Sequence, residues 1–173
     1  MSGRLLIAGI GNIFLGDDGF GVEVAGRLAA LDLPDWVTVG DYGISGMHLA
    51  YDLANGVHTA ILVDAMPRGD EPGTVYVVEP DRQAAGVADG AAKAGPAVTA
   101  AAPAIFDGHG MQPDVVLAML DTLGASVEKV LIVGCEPASI DYGIGLSEPV
   151  TAAVDRAVQT VLDLIDKYGQ EGV

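Results

Sequence analysis

The sequence predicts an α/β fold: a single three-layer domain with a five-stranded, mostly parallel twisted sheet, helices on both faces and an antiparallel fourth strand. Three observations carry this expectation. Short apolar runs alternate with segments whose apolar residues recur at helical spacing, the pattern of βαβ units. The strand-like runs lead into loops rich in glycine and aspartate, as at the carboxyl rim of an open sheet where ligands bind. At 173 residues, with 50% hydrophobic and 5% aromatic composition, the chain is long enough for one well-buried core and too short for two ordinary domains.

The first strand is the apolar run Leu5-Leu6-Ile7-Ala8-Gly9-Ile10, which feeds into a glycine-punctuated loop ending Gly16-Asp17-Asp18-Gly19-Phe20-Gly21. Val22, Val24, Ala25, Leu28, Ala29 and Leu31 then predict a helix over 19–31, closed by Pro34. The period changes at 36–40, a short strand running into Asp41-Tyr42-Gly43-Ile44-Ser45-Gly46. A helix over 47–54 stops at Asn55-Gly56, and a third strand over 59–63 ends on Asp64.

Nine residues, 65–73, separate that aspartate from the next strand at 74–78. A parallel crossover needs a dozen or more, so strand four is expected to be antiparallel. From 80 to 108 alanine and glycine dominate and Pro96 and Pro103 interrupt, so a flexible insertion is expected at about 81–104. A helix over 112–123 tolerates Pro113 in its first turn, and 129–134, apolar after Lys129, is a fifth strand. After a rim loop over 134–146, Val150, Val154, Val158, Val161, Leu162 and Ile165 mark one face of a last helix over 147–168, with Ser147 as its cap and Gly169 as its stop.

With 24 acidic against 8 basic residues, the formal charge of −16 argues against nucleic acid and anionic membrane as partners, because both require clustered Lys or Arg. Cys135 stands alone, so there is no internal disulfide framework and no cysteine-cluster metal site, which fits a reducing cytoplasm. The strand-like run begins straight after Met1-Ser2-Gly3-Arg4, too short for a signal-peptide core. No apolar stretch approaches the roughly 20 residues of a membrane span. A soluble cytoplasmic protein is expected.

Gly9-Ile10-Gly11 begins like a dinucleotide fingerprint, but Phe14 stands where the third glycine should open a helix. Asp17 and Asp18 would repel a phosphate, and no Gly-Lys-Ser/Thr follows. The loop therefore points to a cation. A right-handed parallel arrangement brings Asp18 after strand one, Asp41 after strand two and Asp64 at the end of strand three to one rim. Asp17 is expected to be a cap or a supporting group beside Asp18.

The three histidines separate by geometry. His58 lies six positions before Asp64, about 20 Å along a strand and so at the opposite rim. His48 opens the second helix, where exposure or an incidental hydrogen bond explains it. His109, between Gly108 and Gly110, can reach outward from an open stretch. Asp18, Asp64 and His109 then make a hard-to-borderline donor set for a divalent metal, against the bland reading of three separate structural roles. Cys135 and Glu136 lie on the same rim. The thiol would need its own histidine to act as a nucleophile, and Glu136 is expected to shape or charge the rim.

Read together, Gly9-Ile10-Gly11-Asn12 through Gly16-Asp17-Asp18-Gly19-Phe20-Gly21, Asp41-Tyr42-Gly43-Ile44-Ser45-Gly46, Ile61-Leu62-Val63-Asp64-Ala65, His109-Gly110-Met111, and Gly134-Cys135-Glu136-Pro137 with Gly145-Leu146-Ser147 resemble the hydrogenase maturation endopeptidases over nearly the whole chain. That resemblance implies removal of the C-terminal extension from a nickel-iron hydrogenase large-subunit precursor once nickel has been inserted. It implies nickel recognition by Asp18, Asp64 and His109, with the nickel carried by the substrate. It also implies Asp18 or Asp64 as catalytic base and Asp41 as a second-tier group that positions the extension or supports catalysis, with metal-assisted and aspartate mechanisms both open. The chain departs from the family in having Asp18 where many relatives have glutamate, and in its long alanine/glycine stretch.

Two other classes compete. A receiver-like magnesium-binding signalling domain also sets acids after strands one and three, but the lysine expected after strand five is replaced by Gly134-Cys135-Glu136-Pro137. A magnesium-dependent phosphohydrolase would need a basic clamp for phosphate, and none is well placed.

Overall fold

Leu5 to Ile10 are buried without a break, the mark of a strand covered on both faces rather than one half-exposed to water. In the computed structural model, which describes residues 3–80, 113–125 and 127–171, this run is the inner strand β1 (Arg4–Ile10). The helix α1 (Phe20–Ala29) returns the chain to β2 (Val37–Gly43), and α2 (Gly46–Ala54) returns it to β3 (Val57–Ala65). Then come β4 (Val75–Val78), α3 (Pro113–Leu123), β5 (Lys129–Cys135) and α4 (Glu148–Glu171).

The five strands lie in the order β2-β1-β3-β5-β4. β1 is parallel to β2 and β3, and β3 to β5. β4 runs antiparallel against β5, as the short connection before it requires. Strand alternation sorts the core into two layers. Leu5, Ile7, Ile61, Val63, Leu131 and Val133 face α1 and α4, where Phe20, Val24, Leu28, Val150, Val154 and Val161 cover them. Leu6, Ala8, Ile10, Ala60, Leu62 and Ile132 face the other way, onto Leu49 and Leu53 of α2 and Leu117 and Leu120 of α3.

Two glycines set how closely α1 approaches the sheet. A Cβ on Gly21 would run into the carbonyl oxygens of Val63 and Ile10, and one on Gly9 into the Gly21 carbonyl oxygen. These neighbours are backbone and have no rotamer to yield. Gly21→Ala is accordingly expected to cost about 3 kcal/mol or more, the upper range for overpacking. A thermal melt equal to that of the unsubstituted protein would contradict this close approach.

Several boundaries differ from the expected ones. β2 continues through Asp41 to Gly43, because its pairing with β1 persists as Gly9↔Asp41 and, across an irregularity, Ile10↔Gly43. Asp41 is thus inside a strand, not in the loop after it. A separate 3-10 turn, Gly16–Gly19, precedes α1. α4 does not stop at Gly169 but runs on to Glu171. There the glycine lets the helix lie against Trp36, whose ring would sit 2.8 Å from a Cβ. Ser147 is not a side-chain cap either, since its hydroxyl is turned to Asp17.

The expected insertion at about 81–104 and His109 both lie outside the described residues. Among those described, no helix is long and apolar enough to cross a membrane.

Candidate functional site

The loop after β1 is shaped by Gly11, whose φ of 140° is open to glycine and strained for other residues. That conformation delivers the Asn12 N–H to Asp18 Oδ2 at 2.8 Å. The Gly11 N–H donates to the Gly43 carbonyl at 2.9 Å, which joins the first loop to the end of β2. Asp18, half-buried, is held at the carboxyl end of the sheet.

Asp64 arrives from the next strand. It is 5% exposed, and its pairing with Gly134 fixes it one residue from the end of β3. Burial, and then the negative charge of Asp18, push its carboxyl well above the usual carboxylate range, while a hydrogen bond from the Ala65 N–H acts in the opposite direction. Among the described residues nothing reaches Asp64 Oδ1, which is fully shielded from water. An acid held beside another acid with a bare oxygen favours a shared proton or an incoming cation. The donor chemistry therefore fits a divalent metal brought to the rim. Among the described residues no three His, Cys, Asp or Glu are grouped to hold an ion; the expected third donor, His109, lies outside them.

Asp41 lies on the opposite face of the sheet from Asp64. It pairs with Gly9, as Val63 does on the other side, so alternation points Asp41 to the α1 and α4 face and Asp64 to the α2 and α3 face. Its side chain is exposed, and Oδ1 accepts the Gly43 N–H at 3.0 Å.

Asp17 is the residue that the sequence undervalued. Its side chain is fully buried. Oδ1 accepts the Ser147 N–H at 2.6 Å. Oδ2 accepts the N–H groups of Ala138 and Ser139 at 2.8 and 3.1 Å, and the Ser147 hydroxyl at 2.8 Å. Burial alone would raise its carboxyl; donation from Ser147, Ser139 and Ala138 outweighs this and holds it below the usual range. Asp17 thus ties the loop carrying Asp18 to the loop after β5. No local signal marks this role, because every donor lies more than 120 residues away.

The remaining candidates have quieter roles. Cys135 is buried, and burial, followed by the charge of Asp17, pushes its thiol up to about 11, which makes it a poor nucleophile. Glu136, also buried, accepts the Arg68 N–H at 2.7 Å and shapes the connection between β3 and β4. His48 is exposed, 3.5 Å from Asp52 and edge-on to Tyr42. His58 is exposed at the start of β3, on the opposite rim from Asp64. An open groove of about 560 Å³ runs along β4 and α4 between Thr74, Tyr76, Arg156 and Asp163, and contains none of the rim aspartates.

Residues 97–164 match the family model described as hydrogenase maturation protease. The chain is 33% identical over 168 residues to the hydrogenase expression/formation protein HupD of Rhizobium leguminosarum, covering 96% of this chain and 76% of that protein. It is 34% identical over 167 residues to a putative hydrogenase maturation protease of Methanocaldococcus jannaschii, covering 94% and 97%. The hydrogenase maturating endopeptidase HybD of Escherichia coli superposes with a TM-score of 0.73 at 29% identity, over 96% of this chain and 94% of that one. The receiver-like reading gains no support from these similarities.

Proposed function

Since the chain belongs to the family of hydrogenase maturation proteases, we propose that it cleaves the C-terminal extension from a nickel-loaded large-subunit precursor of a nickel-iron hydrogenase, using the nickel as its recognition mark. The observation that carries this reading is the bare, buried oxygen of Asp64 beside Asp18. A cation offered by the precursor relieves the repulsion between the two carboxylates and the cost of burying Asp64 as an anion. A nickel-free precursor brings no such compensation. His109 is assigned as the third donor by its place in the sequence.

Hydrolysis requires water to add to the scissile carbonyl carbon, the C–N bond to break and the departing nitrogen to take a proton. Asp18 or Asp64 is suited to accept the proton of the attacking water, and nickel at the same rim would polarise the carbonyl. Asp41, exposed on the edge strand, is suited to hold the extension or to support catalysis from there. The precursor is the partner, and a chain with 24 acidic against 8 basic residues is poorly suited to nucleic acid or an anionic membrane.

Incubation of the purified protein with nickel-loaded and nickel-free precursor, read as release of the extension by mass spectrometry, tests the reading. Only the loaded precursor is expected to be cut, and His58→Ala is expected to cut it as the unsubstituted protein does. Equal cutting of both precursors would remove nickel recognition. Cutting of neither would remove the proteolytic assignment.

A further inference from the structure

The rim that carries the acid pair also carries apolar side chains that the fold leaves uncovered. Ile13 and Phe14 follow β1, Ile44 and Met47 follow β2, and Tyr142 and Ile144 follow β5; all six are exposed, Tyr142 to 92% and Ile144 to 78%. Elsewhere on the described surface, large exposed hydrophobics such as Leu31, Val77 and Leu123 lie on separate elements. Scattered residues of that kind are ordinary, whereas a group concentrated on three neighbouring loops and the first turn of α2 marks an interaction surface.

The collar is held in shape before anything binds. Leu15 and Gly143 form a parallel bridge. The Gly16 N–H donates to the Gly143 carbonyl at 2.8 Å, and the Gly143 N–H to the Phe14 carbonyl at 2.9 Å. Gly143 and Gly145 both have positive φ, 152° and 111°, so the backbone around Tyr142 and Ile144 adopts a conformation that side-chain-bearing residues resist. The Asp17 hydrogen bonds anchor both ends of the same loop. On an ordered backbone, binding has only side-chain freedom left to restrict, which lowers its entropic cost.

We propose that this collar docks the folded body of the hydrogenase large-subunit precursor, through an apolar patch beside the point where its extension leaves. The proposal rests on the proteolytic reading above and adds the surface by which the substrate is held. Width argues for a folded partner over the extension alone. The loops after β2 and β5 are separated by three inter-strand spacings, about 14 Å, and one extended chain occupies about 5 Å. Charge argues against a second copy, because a symmetric rim-to-rim contact would set Asp18, Asp41 and Asp141 against their own counterparts.

The test is the double variant Tyr142→Asp, Ile144→Asp, with Leu31→Asp as a control distant from the rim. The probe is a nickel-loaded precursor that the unsubstituted protein processes. The double variant is expected to raise KM for processing, and Kd by calorimetry, by roughly tenfold or more, with the melting temperature retained. Tyr142→Phe with Ile144→Val is expected to restore both constants, and Leu31→Asp to change neither. Unchanged KM and Kd in the double variant would overturn the docking surface and leave the proteolytic reading intact. A dimer in size exclusion that the double variant abolishes would overturn it too, by assigning the collar to a second copy. If no loaded precursor is processed by the unsubstituted protein, both readings fall together.

Discussion

Asp64→Asn is expected to lower processing of the nickel-loaded precursor by about 10²–10⁴-fold, the range for loss of a general base or a charge-stabilising group, and at the same time to make the protein more stable at neutral pH. The two effects share one cause. Burial and the charge of Asp18 raise the carboxyl of Asp64 well above its ordinary value of 3.8 in the folded protein. Between 3.8 and the folded value, the native state holds a proton that the unfolded chain has released, so stability falls as pH rises through that window. Asparagine has no proton to lose. The melting temperature of the variant should therefore exceed that of the unsubstituted protein at neutral pH, and the gap should close below about pH 4. Asp18→Asn removes one of the two causes and should narrow the window. Normal processing by Asp64→Asn, or a gap in melting temperature that ignores pH, would contradict the role given to this pair.

Asp17→Ala is expected to be the most destabilising of the rim substitutions. The carboxylate satisfies three backbone N–H groups and one hydroxyl, and removing it strands buried donors at a cost of about 3–5 kcal/mol. For a chain of this size that corresponds to a fall in melting temperature of roughly 10 °C. Asp17→Asn keeps one acceptor and should lose less. The sign of the pH dependence is opposite to that of Asp64. The folded carboxyl of Asp17 is lowered from 3.8, so its contribution is complete above that value and is lost as pH falls through the folded one. Processing should fall as well, because the loops bearing Asp18 and Tyr142 lose their shared anchor. A melting curve for Asp17→Ala that matches the unsubstituted protein would show that the two loops are held by other means.

Much of the fold was legible because its signals are local. The short continuous apolar run Leu5–Ile10, bounded by glycines, reads as a strand covered on both faces, and the nine residues between Asp64 and the fourth strand are too few for a parallel crossover. Boundaries were less legible where partners decide them. Pairing with Gly9 keeps Asp41 inside β2, and α4 continues through Gly169, whose missing Cβ leaves room for the Trp36 ring.

The amino-acid order by itself determined the strand and helix sequence, the antiparallel fourth strand, and the placing of Asp18 and Asp64 on one rim, since period, connection length and turn chemistry act over a few residues. Tertiary structure alone decided that Asp17 clasps two loops, that Asp64 Oδ1 has no hydrogen-bond partner among the described residues, and that Asp41 lies on the opposite face of the sheet from Asp64. Those outcomes depend on donors, shielding and register contributed by distant segments, which no local pattern encodes.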